Sequence, residues 1–151
     1  RVRITEPRPP AGQAQPVSCE EARRAIEKLR EKFKVSDVFG KEKDKSLDGS
    51  LMAVFQSFDG KELYPSIEAK AAHLLYFLVK NHSFVDGNKR IAAALFLRFL
   101  DKNSVLYRRN GSKRLADNAL VAITLMIAES RPDEKETITN VVINLINRRR
   151  E

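Results

Sequence analysis

Tryptophan is absent from this chain of 151 residues, cysteine occurs once, histidine twice and glycine six times. A single cysteine, Cys19, cannot close an internal disulfide. The fold therefore needs no oxidising compartment, and a cytoplasmic setting is expected. No apolar run reaches the roughly 18–20 residues of a membrane span, so no membrane partner is expected. No signal peptide is recognisable, and internal repeats are lacking. Aromatic residues make up 7% of the chain and do not interleave with its basic stretches. That weakens the case for a nucleic-acid surface built on base stacking, despite a net charge of +8. Much of that charge lies at Arg108, Arg109, Lys113, Arg114 and Arg148 to Arg150, and reads as solvated surface.

What is present suits one soluble domain large enough for a core, with 42% hydrophobic and 32% charged residues. Four of the six prolines fall within residues 1–17, which lack apolar periodicity and read as a linker or arm. Residues 18–151 read as the domain itself. The chain begins at Arg1 rather than Met, so the domain is expected to be the C-terminal part of a longer protein.

Helical spacing then recurs along the domain. Ser18 caps a first helix running to about Lys34 through Ala22, Ile26, Leu29 and Phe33. Phe39 to Ser46 is a polar loop, and Leu47 to Phe55 holds a short helix with Asp48 as its cap. Phe55 to Phe58 and Lys61 to Tyr64 flank Asp59-Gly60, the pair preferred in two-residue hairpin turns. Further helices start at Pro65-Ser66 and Asn88, run from Leu115 to Glu129, and close the chain from Glu134 to Asn147. The expected fold is all-α, a bundle of five to seven helices with one hairpin.

Asn81 to Leu100, NHSFVDGNKRIAAALFLRFL, organises the rest. From Asn88 it is apolar around most of a helix, interrupted by Arg98 alone, as befits the middle of a bundle. The first turn of that helix then opens inside the protein or on a cleft floor, where unpaired N–H groups and the dipole favour an anion. Gly87 admits close backbone approach, and Asn88 is a favoured N-cap residue. Lys89 and Arg90 sit where the dipole disfavours cations by up to roughly 1 kcal/mol, which a bound anion would explain. If that anion carries phosphates, Asp86 is placed to hold Mg²⁺ on them. His82 supplies an imidazole, the side-chain type most often used as a general base. Each residue alone has an ordinary reading: a helix-ending His, an Asp-Gly turn, a core Phe. Their joint spacing argues against chance.

His82, Phe84, Asp86, Gly87, Asn88, Lys89 and Arg90 resemble, position by position, the Fic/Doc (Fido) signature HxFx(D/E)(G/A)N(G/K)R. From about Ser46 to the C-terminus the chain is similar to the death-on-curing branch. The resemblance implies a Fido-type helical bundle whose β-hairpin is a flap, with Phe55, Gln56, Ser57 and Phe58 docking a target segment by strand addition. It implies His82 as general base, Asp86 as Mg²⁺ ligand, and Gly87, Asn88, Lys89 and Arg90 as the nucleotide phosphate site, with Phe84 anchoring the loop. The co-substrate would be a nucleoside triphosphate such as ATP. The acceptor would be a Ser, Thr or Tyr hydroxyl of a target protein, in a toxin-type role. Lys89 stands where AMP-transferring relatives carry Gly, and Ala93 where they carry a second Arg. Both favour phosphate transfer over AMP transfer. Ser130 to Glu134 has the spacing of an inhibitory pattern, but Lys135 follows, so a separate antitoxin or an upstream regulatory domain is the expected control. The rival reading is a non-catalytic, basic nucleic-acid-binding module.

Overall fold

The computed structural model describes residues 3–10 and 12–150; of the proline-rich stretch, residues 1, 2 and 11 lie outside the described residues. Six α-helices and one hairpin make up the described part. They are α1 (Cys19–Lys32), α2 (Ser46–Met52), β1 (Ser57–Phe58), β2 (Lys61–Glu62), α3 (Ile67–Asn81), α4 (Asn88–Lys102), α5 (Asp117–Glu129) and α6 (Lys135–Ile146). The all-α bundle with a hairpin expected from the sequence is the fold observed.

The centre is α3 packed along α4, with α1, α2, α5 and α6 around them. On α4, Ile91, Ala92, Leu95, Phe96, Phe99 and Leu100 are buried. Its neighbour α3 buries Ile67, Ala71, Ala72, Leu74, Leu75, Tyr76, Leu78 and Val79. Each large side chain of this kind contributes roughly 1.5–3 kcal/mol on leaving water. The two helices therefore fix the end at which α4 begins.

The caps show why the elements start where they do. Ser18 and Ser66 accept from the backbone N–H of Glu21 and Ala69, as N-caps of α1 and α3. Asp48 does not cap α2. It lies in the first turn, while Asp44 Oδ1 accepts from Ser46 N–H at 2.9 Å. The hairpin is shorter than the sequence suggests. Phe55 belongs to a 3₁₀ turn (Ala53–Phe55) and packs edge-on to Phe99 at 6.4 Å between ring centres. Asp59 and Gly60 both take positive φ, as a type I′ turn requires.

Two ion pairs, each with one fully buried partner, tie the periphery to the centre. Glu68 on α3 is fully buried and accepts from both guanidinium and backbone N–H of Arg148. Lys70, 1% exposed, donates to the Glu62 carboxylate at 2.8 Å and to the Tyr64 carbonyl, pinning the hairpin onto α3. The described residues before α1 are in neither helix nor strand, yet they lie along the bundle. Asn144 and Asn147 donate to the carbonyls of Arg3 and Thr5, Asn103 exchanges bonds with Gln15, and Val17 is buried.

Candidate active site

The loop between α3 and α4 carries the motif, and its shape follows from three residues. His82 ends α3 in the left-handed region at φ 51°, where a residue other than glycine is uncommon. Phe84 is 1% exposed and anchors the loop in the core. Gly87 takes φ 89° just before α4, and a Cβ there would stand 2.4 Å from the Phe39 ring. Glycine is thus required twice over, for backbone conformation and for space.

Asn88 differs from the sequence expectation. Gly87 occupies the N-cap position, and Asn88 is the first helical residue. Its buried amide accepts from Phe84 N–H at 3.0 Å and donates to Phe84 carbonyl at 2.8 Å. The side chain is occupied in closing the loop, so Asn88 has its backbone N–H to offer an anion.

A second partner of the loop was hidden in what the sequence presents as a polar connection. Residues 39–43 run beside it as an irregular ladder. Gly40 N–H donates to the Asp86 carbonyl at 2.9 Å, Val85 N–H to Lys41 at 2.8 Å, and Lys43 N–H to Ser83 at 2.9 Å. Ser46 and Ser83 hydroxyls meet at 2.6 Å. The one available signal was Phe39-Gly40, an aromatic and a glycine opening an otherwise charged stretch. Arg30 completes the brace by donating to the Phe39 carbonyl at 2.8 Å.

Asp86, Gly87, Asn88, Lys89 and Arg90 line one cleft of about 530 Å³ at the opening of α4. Lys34, Val35, Ser36 and Phe39 form one wall, and Ala93, Val121, Thr124 and Leu125 the other. The floor is cationic and amide-rich, whereas Val121 and Leu125 leave apolar surface half-exposed on α5. Arg90 is held with its guanidinium 5.5 Å above the Phe33 ring. Asp86 is exposed, and its Oδ2 accepts from the Ser36 hydroxyl at 2.6 Å. No group of three His, Cys, Asp or Glu residues suited to a metal occurs among the described residues. A lone carboxylate beside an amide-rich, cationic helix start still fits Mg²⁺, which keeps waters and takes most of its shell from ligand oxygens.

His82 is exposed at the end of α3 and is not among the residues lining that cleft. Its Nδ1 lies 2.7 Å from Lys43 Nζ. The hairpin also stands apart from the cleft lining, with Gln56, Ser57 and Phe58 exposed and Phe58 76% so. The other imidazole, His73, is half-buried, stacked on Tyr64 at 3.9 Å, and donates from Nδ1 to the Ala69 carbonyl. Burial holds its pKa below the ordinary value, and the Lys135 charge adds to this, while the carbonyl bond opposes. His73 is a packing residue.

Residues 16–100 match the model of the Fic/DOC family. Over 59 residues the chain is 42% identical to Toxin Doc of Mycolicibacterium smegmatis, a stretch covering 39% of this chain and 45% of that relative. The match thus spans less than half of that relative's length. No solved structure matches. Among the described residues, no helix is long and apolar enough to cross a membrane.

Proposed function

We propose, since the chain belongs to the Fic/DOC family, that it is a toxin-type transferase moving the terminal phosphate of a nucleoside triphosphate onto a protein hydroxyl. The observation that carries this is the convergence of Asp86 through Arg90 on one cleft at the start of α4, with His82 exposed four residues upstream. Similarity to a Doc toxin supports the toxin-type role, with a separate antitoxin as regulatory partner.

The chain's residues divide the work by position. Backbone N–H groups at the start of α4, together with Lys89 and Arg90, bind the phosphates and neutralise charge that builds on them. The apolar side chains of Val35, Val121 and Leu125 offer a face for the nucleoside. Asp86, oriented by Ser36, would hold Mg²⁺, which when bound screens the phosphate oxygens. His82 accepts the proton of the Ser, Thr or Tyr hydroxyl as its oxygen bonds to the γ-phosphorus. The bond from that phosphorus to the β–γ bridging oxygen breaks, and the nucleoside diphosphate departs with the electron pair. The exposed edge of β1 presents main-chain groups that can align the target segment.

Lys89 and Ala93 favour the γ-phosphate over AMP. Lys89 puts a side chain and a cation where a second phosphate would need room, and Ala93 offers no cation at the position where AMP-transferring relatives carry a second Arg. ATP labelled separately on the α and γ phosphates tests this directly. Label is expected in protein from γ alone, and His82→Ala is expected to abolish it with the melting temperature nearly unchanged. Label arriving from α replaces phosphate transfer with AMP transfer.

A further inference from the structure

Lys43 lies on one nitrogen of His82. Its backbone N–H donates to the Ser83 carbonyl at 2.9 Å, which fixes the start of the side chain beside the motif. The side chain itself is exposed, and its Nζ stands 2.7 Å from His82 Nδ1. An ammonium has three donors and no acceptor. At this distance Nδ1 must therefore be the acceptor, with its lone pair directed at Lys43. A neutral imidazole carries one N–H, so that proton resides on Nε2. His73 is the opposite case, because its Nδ1 faces a carbonyl at 2.8 Å and must carry the proton. The two imidazoles of the chain are held in different tautomers.

For His82 the consequence is chemical. In this tautomer its other nitrogen, Nε2, is a hydrogen-bond donor and has no lone pair for a substrate proton. We infer that Lys43 is a positioning residue that holds His82 in the Nε2–H tautomer, so the proposed base is inactive until the ammonium withdraws. This rests on the reading of His82 as base. When Lys43 leaves, Nε2 gives its proton to water and Nδ1 takes one from water. No net charge changes, and Nε2 gains the lone pair. A polyanion attracts the ammonium away from a neutral ring, and the nucleotide proposed for the neighbouring cleft is one. The Lys43 side chain is long and exposed, so once off the ring it can follow.

Nitrogen-15 NMR of the imidazoles in the full chain tests this, at a pH where both rings are neutral. His82 should show a pyridine-like Nδ1 and a pyrrole-like Nε2, with His73 reversed as an internal control. Lys43→Arg, which keeps a donor without an acceptor, should preserve the pattern. Lys43→Met should shift the His82 signals towards a tautomer mixture, and ATP with Mg²⁺ should do the same in the unaltered chain. Lys43→Met should also raise the kcat of transfer several-fold with the KM for ATP unchanged. A pyrrole-like Nδ1 in the unaltered chain, or a pattern indifferent to Lys43→Met, overturns the tautomer assignment. Signals indifferent to ATP overturn release by nucleotide. A raised KM, or a lower kcat in a folded variant, places Lys43 in the catalytic machinery instead. Transfer persisting in His82→Ala sinks the base reading while leaving the tautomer assignment standing, so the two failures are distinguishable.

Discussion

At the scale of single residues, Gly87 is where sequence and geometry agree most closely. The motif fixes its place, and the structure supplies two reasons for it: φ 89° and a Phe39 ring carbon 2.4 Å from any added Cβ. Left-handed backbone costs an L-residue roughly 1–2 kcal/mol, and overpacking a filled site typically adds about 1–3 kcal/mol. Gly87→Ala should therefore lower stability by about 2–5 kcal/mol in urea unfolding and disturb nucleotide binding with it. A loss below about 0.5 kcal/mol would mean that Phe39 yields without strain. Asn88 shows the limit of residue-by-residue reading. Its type suits a cap, yet the folded loop uses its amide to join Phe84 N–H and carbonyl. No spacing rule reports which of two satisfactory uses a buried amide will take.

Among the elements, the hairpin has the clearest division between tied and free edges. Phe58 pairs with Lys61 across the two-residue turn, and Leu63 N–H donates to the Gln56 carbonyl at 3.0 Å. In an antiparallel ladder, bonded pairs alternate, so Ser57 opposite Glu62 turns its N–H and C=O outward. Gln56 already has φ −64° and ψ 144°, which suits the residue before proline. Ser57→Pro should then remove an outward donor while the hairpin keeps its own bonds. The expected outcome is a large fall in target modification with nucleotide affinity and melting temperature nearly unchanged. Equal loss of modification and nucleotide binding would make the hairpin a structural element only. Its turn was legible because Asp-Gly chemistry is local. Its attachment was not, because Lys70 lies on α3, eight residues beyond the Glu62 it holds.

For the whole molecule, α1 is joined to α4 by Glu21, whose carboxylate accepts from Arg98 and, at 2.7 Å, from Lys102. Burial raises the Glu21 pKa, but hydrogen bonds and charge from Lys102 and Arg98 outweigh it and leave the carboxyl below its ordinary value. A carboxyl depressed in the folded state adds stability above its unfolded pKa, and loses it as pH falls through the folded one. Unfolding followed from neutral pH downward should show stability declining below the usual Glu range. Glu21→Gln should flatten part of that decline and cost on the order of 1 kcal/mol at neutral pH, since both cations keep access to water. An unchanged acid limb in Glu21→Gln would remove the link between this pair and acid stability. The pair is long-range, 77 and 81 residues apart in the chain, and no local pattern announces it.

The sequence by itself determined the elements and the chemistry they bring. Apolar periodicity, caps and turn residues act over a few neighbours, so the all-α bundle, the Asp59-Gly60 turn and the opening of α4 at the motif follow from short stretches. Tertiary structure alone decided what lies beside the motif: the ladder of residues 39–43, Ser36 on Asp86, Arg90 over Phe33 and Lys43 on His82. Those contacts join chain positions 39 to 57 residues apart, and they depend on how α1 packs against the centre of the bundle. A charged loop has no period from which to read its partner, and its backbone bonds become specific once the core has brought the two segments together.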